Sequence, residues 1–180
     1  LGDFLEVDGP DSNKTIQAMR KSVPVIAQGY FQSEINGYEW SGYADLLVLE
    51  GYDLQQDDDG TIVAVKVGEV PEEPKYTPWD VKNSSAGDPK YQIQLATYLN
   101  ELQDLGLASE QQVGIVLGFS KGFVRYEVDE SMELYRDALD TLLEVLLLVT
   151  PRTITEEFVT SWTCTKKSTC DKVYCDYPGL

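Results

Sequence analysis

The chain has 180 residues, with 31 Asp and Glu against 14 Lys and Arg, no His, and a formal net charge of −17. The absence of His excludes His-based triads, His general bases and His-ligated zinc. The negative balance excludes non-specific nucleic-acid binding by the whole surface, while 42% hydrophobic residues suffice for the core of one domain.

The N-terminal stretch 1–11 is short and acidic and carries no signal-peptide pattern. The greasiest run, 142–149, contains Glu144 and is too short to span a bilayer. An intracellular protein with no membrane partner is expected, cytoplasmic if bacterial or archaeal. The chain begins without Met and stops at Pro178-Gly179-Leu180, as an excised domain would.

In chain order, 15–21 reads as a short helix. Residues 25–34 follow as a strand, Asn36-Gly37 as a hairpin turn, and 38–49 as a second strand ending in Leu46-Leu47-Val48-Leu49. The acidic run Asp57-Asp58-Asp59-Gly60 lacks an acid at the first position of an EF-hand loop and has Lys66 where the bidentate Glu belongs, so it reads as a solvated turn. It leads into an alternating strand over 61–67. Residues 71–74 break the chain, and 76–82 reads as a third core strand whose Val81 points into the core.

The period then changes. Leu95, Leu99 and Leu102 recur at helical spacing, giving a helix over 89–104 with Pro89 in its first turn and Gly106 beyond its end. Residues 113–119 and 123–128 form a hairpin about Ser120-Lys121-Gly122. Asp129 or Ser131 caps a last helix, whose stripe is Leu134, Ala138, Leu142, Val145 and Val149. The result is a mixed α/β domain, a central β-sheet flanked by helices over 1–150, followed by a Cys-containing tail over 151–180.

Chemistry concentrates around Asp80-Val81-Lys82. A D-x-K triplet arises about once by chance in a chain of this composition. Here it stands at the end of a core strand, with Asp45 upstream on another strand and Gln94 and Tyr98 downstream on the helix. Asp80 and Lys82 are two apart on a strand and share a face; Gln94 and Tyr98 are four apart on a helix and share a face. Asp45 and Asp80 together offer hard oxygen ligands to Mg²⁺ or Mn²⁺, which stabilises charge on a phosphodiester and acidifies an attacking water. Lys82 is placed to orient that water or neutralise the phosphate. Gln94 and Tyr98 are suited to hydrogen-bond or stack on a nucleic-acid strand.

Gly42-Tyr43-Ala44-Asp45, Asp80-Val81-Lys82 and Gln94-Leu95-Ala96-Thr97-Tyr98 together resemble the G-x-x-D, D-x-K and Q-x-x-x-Y motifs of the RecB-like branch of the PD-(D/E)xK nuclease superfamily. That branch includes CRISPR-associated RecB-like exonucleases and helicase-linked RecB nuclease domains. The resemblance covers roughly 42–102. It implies a restriction-endonuclease-like core and a metal-dependent deoxyribonuclease acting on single strands or DNA ends in repair, recombination or defence, with a helicase domain or subunit as partner. It implies Asp45, Asp80 and the Val81 carbonyl as metal ligands, Lys82 as the catalytic lysine, and Gln94 and Tyr98 as substrate-organising residues. The alternative is a non-cleaving DNA-binding or scaffolding module of a helicase assembly. The family usually adds a Glu or His from its first helix; only Glu6 stands near such a position.

Cys164, Cys170 and Cys175 fall within twelve residues. In a chain without a secretory signal, such clustering suggests a metal site rather than a disulfide framework. A four-iron four-sulfur cluster, as several RecB-like nucleases carry, zinc, or no metal are the readings. The spacings differ from the family's, and no upstream Cys is present. The segments 75–98 and 164–175 are net positive within a strongly acidic chain. Once a divalent cation is added, the proposed site becomes a localised basic contact.

Overall fold

The computed structural model describes residues 4–35, 37–118 and 122–149. Its elements are β1 (Phe4–Glu6), α1 (Ser12–Arg20), β2 (Val25–Ile35), β3 (Tyr38–Leu49), β4 (Tyr52–Gln56), β5 (Ile62–Lys66), β6 (Tyr76–Lys82), α2 (Pro89–Asp104), β7 (Val113–Leu117), β8 (Gly122–Tyr126) and α3 (Val128–Val149). The first compact unit runs to Arg136; a second begins at Asp137, within α3. Cys164, Cys170 and Cys175, and the expected boundary at 150, lie outside the described residues.

A six-stranded sheet has the order β1-β2-β3-β6-β7-β8. It is mixed: β1 with β2 and β6 with β7 are parallel, the other pairs antiparallel. The parallel β6–β7 pair requires a crossover, and α2 supplies it. Helices and sheet together make an α/β architecture, as the change of hydrophobic period predicts.

The helices begin on side-chain caps. Asp11 accepts hydrogen bonds from the N–H groups of Asn13 and Lys14 at the start of α1. Asp88 does the same for Lys90 at the start of α2, where Pro89 takes the first helical position. Gly106, at φ +71°, ends that helix in a conformation that disfavours a side chain. On α3 the expected cap is corrected. The helix already starts at Val128, and Ser131 lies inside it, its hydroxyl bonded back to the Glu127 carbonyl.

One sheet face packs against α1 and α2 through Met19, Ile26, Phe31, Leu47, Leu49, Tyr76, Tyr98 and Leu102. The other is covered by the β4–β5 hairpin, where Leu54 and Ile62 meet Val25, Val48, Trp79 and Val116. The hairpin's turn is closed by Asp57, whose carboxylate accepts from the N–H groups of Asp59 and Thr61. The acidic run is thus a hydrogen-bonded turn.

One further expectation is corrected. Val81 is 50% exposed rather than in the core: it lies past the part of β6 that the hairpin covers. On α3, Leu142 and Val145 are exposed, and burial falls on Ser131, Met132 and Tyr135. Among the described residues no helix is long and apolar enough to cross a membrane.

Candidate metal and phosphodiester site

The site arises where two strands part. β3 and β6 pair from Leu49↔Tyr76 to Leu46↔Trp79, and there the ladder ends. The next two residues across the gap are Asp45 and Asp80. Asp45 takes over where the ladder stops: its Oδ2 accepts the Val81 N–H at 2.8 Å, a group that would otherwise face the missing strand partner.

The same level is irregular on the other side of β3. The β2–β3 register skips its pair at Gln28 and Asp45, and Gln28 holds φ +53°. Ile26 and Phe31 are five residues apart on β2, and Ala44 and Leu47 three apart on β3, yet all enter the same core cluster. Strict alternation forbids both pairings, so each strand changes face at this step. Gln28 then reaches across to Asp45 Oδ1 at 3.4 Å. A non-glycine residue at positive φ costs about 1–2 kcal/mol, held by the surrounding pairs.

Asp80 is only 2% exposed. Lys82 Nζ lies 2.5 Å from its Oδ2, and 3.0 Å from Oε1 of Gln94, to which it donates. The Asp80 carboxylate is thus engaged by a charged ammonium at close range. Burial, and next a hydrogen bond with Asp45, push the Asp80 carboxyl up to about 6, against the downward pull of Lys82.

Asp45, Asp80, Lys82 and Gln94 therefore come together. Tyr98 is beside them in a different role. It is 6% exposed, its ring packed between Phe31 and Trp40 at centroid distances of 6.0 and 5.8 Å. Burial raises its hydroxyl pKa, with a hydrogen bond to Gln94 opposing. The expected stacking of this ring on a strand is corrected, because its faces are already occupied. Gly42, the glycine of G-x-x-D, lies where β3 runs against this phenol. Sequence reasoning missed Gln28; a polar residue between buried neighbours Ala27 and Gly29 was its only signal.

The donor set suits a hard cation in kind: two carboxylates, one of them buried, meet where the strands part. It is short in number. Among the described residues no group of three or more His, Cys, Asp or Glu is close enough to share a metal. Glu6 stands exposed on the edge strand β1, not on a helix, and α1 contains no acid. Among the described residues, a third ligand would be an amide or main-chain oxygen. Two described cavities, of about 660 and 290 Å³, lie elsewhere, lined around Lys75 and Glu127 and around Trp79 and Arg125.

Compared with models of protein families, with curated proteins and with solved structures, the chain matches none.

Proposed function

We propose that the fork between β3 and β6 is the centre of a divalent-metal-dependent DNA nuclease of the PD-(D/E)xK type, on a restriction-endonuclease-like, RecB-like core. One observation carries this reading. A buried carboxylate faces a second carboxylate across parted strands, and a lysine two residues on holds its ammonium against the first. Burial and the neighbouring Asp45 raise the Asp80 carboxyl to about 6, the kind of perturbation that gathers at functional sites.

Asp45 and Asp80 would hold Mg²⁺ or Mn²⁺, which supplies charge neutralisation on a phosphodiester and acidifies water. The chain's own groups do the rest. Lys82, held by Gln94 and drawn toward Asp80, presents an ammonium to the scissile phosphate or to a water beside it. Gln94 fixes that lysine, so the helix sets the reach of the side chain. The Val81 N–H holds Asp45 in place on the fork. DNA single strands or ends are the proposed substrate, with a helicase domain or subunit as the proposed partner.

The experiment is strand cleavage with Mg²⁺ or Mn²⁺ by the wild type beside Asp80→Ala and Lys82→Ala. Metal-dependent cleavage lost in both variants is expected. Equal behaviour of all three overturns it. The small carboxylate set favours a second reading, a RecB-like module that binds DNA or scaffolds a helicase assembly without cutting. Strand binding with no cleavage under either metal would select it.

A further inference from the structure

The burial of Tyr98 leaves the site without the aromatic surface expected of it, and Tyr91, two turns earlier on α2, lies beside Lys82. Its ring is half-buried, with Lys82 Nζ 5.2 Å and Lys90 Nζ 4.9 Å from its centroid. One of these ammoniums belongs to the fork. The other is on a side chain 66% exposed, tied to Asp88 at 2.9 Å by an ion pair in full contact with water, which contributes little. The ring thus bridges the site lysine and an exposed surface lysine, in the segment that escapes the acidic balance of the chain.

We propose that Tyr91 and Lys90 form the landing for a single nucleic-acid strand beside the Asp45–Asp80–Lys82 fork, a proposal that rests on the nuclease reading above. On binding, Lys90 leaves the ring for a phosphate, and the base of that nucleotide takes its place on the phenol face. Lys82 stays on its own side of the ring, between Gln94 and Asp80. Stacking tolerates any base, and one lysine on a phosphate gives no sequence preference, so the contact reads strand rather than sequence.

The test is binding of labelled oligo-dT and oligo-rU of equal length to the full chain, in EDTA, where cleavage does not interfere, followed by cleavage with Mn²⁺. Tyr91→Ala is expected to weaken binding roughly tenfold, the effect of losing one stacked base. Tyr91→Phe keeps the ring and retains wild-type binding, and a wild-type circular dichroism spectrum of Tyr91→Ala shows that the loss is not one of folding. Lys90→Ala is expected to lower the salt dependence by about one phosphate's share, a slope change of about 0.7. Tyr91→Ala should remain weaker in a Lys82→Ala background; if it adds nothing there, the ring only holds Lys82 and the landing is overturned. Wild-type binding by Tyr91→Ala, or no binding of either strand by the wild type, also overturns it. Tyr91-dependent binding without any cleavage instead removes the nuclease reading and leaves the landing standing. The DNA and RNA arms decide which strand it takes.

Discussion

Gly42 on β3 and Tyr98 on α2 are in contact through the absence of a side chain. A methyl group at Gly42 would lie 3.1 Å from the Tyr98 hydroxyl, 3.2 Å from its ring and 3.3 Å from Trp40. The glycine lets α2 settle on the sheet close enough for Gln94, one turn before Tyr98, to reach Lys82. Gly42→Ala should therefore cost about 1–2 kcal/mol, as modest overpacking does. Urea unfolding measures it. The double variant Gly42→Ala/Tyr98→Phe should recover part of the loss; no recovery would place the clash on Trp40 instead.

Tyr98 fills space between Phe31 and Trp40. Tyr98→Ala should lose about 3 kcal/mol of stability, in the range of large aromatic truncations. Tyr98→Phe should keep both the fold and any cleavage activity. Loss of cleavage in a folded Tyr98→Phe would show that the hydroxyl acts on the substrate.

Asp80 is held at about 6, above its ordinary 3.8. Between those values the folded protein binds more protons at this group than the unfolded chain. Stability from this group is therefore present below about pH 4 and lost as pH rises through about 6. Without divalent metal, Asp80→Asn should be more stable than the wild type at about pH 8, by roughly 1–3 kcal/mol, and the gap should close near pH 4. Thermal melts in EDTA measure this. Mn²⁺ should raise the melting temperature of the wild type at the higher pH and leave that of Asp80→Asn unchanged; equal shifts in both would remove Asp80 from the ligand set.

Tyr76 is fully buried, and its hydroxyl lies 2.7 Å from the Val23 carbonyl and 3.3 Å from that of Met19, to which it donates. Burial raises its pKa above the ordinary tyrosine value. Tyr76→Phe should cost about 1–2 kcal/mol, since the Val23 carbonyl loses its donor while that of Met19 keeps the Ser22 N–H. In a spectrophotometric titration the folded variant should show the same ionisation near pH 10 as the wild type. A missing tyrosine there would mean that Tyr76 reaches water.

The sequence carries the sheet strands β3 and β6 and the helix α2 to their ends, because each is long and marked by a turn, a breaker or a proline. It does not show β1 or β4. β1 is three residues, and β4 reads Tyr-Asp-Leu-Gln-Gln, too polar and too short for alternation to stand out. The grouping of Asp45, Asp80, Lys82 and Gln94 is legible because strand and helix periodicity bring each pair to one face. The fork is not legible. It depends on where the β3–β6 ladder ends and on a change of face at Gln28, which are matters of pairing between distant segments. The enclosure of the Tyr98 ring is hidden for a related reason: helical spacing gives its direction, and only the arrival of Phe31 and Trp40 closes it.

The end of the β3–β6 ladder separates two acids that a motif treats alike. Asp45 stands in for a rung of the sheet, so the fold itself benefits from it whether or not any bond is ever cut. Asp80 does the reverse, a charge kept out of water at the expense of stability at neutral pH. A descendant that had abandoned the chemistry would have reason to keep Asp45 and reason to discard Asp80. The second acid is therefore the one whose presence speaks for a working site.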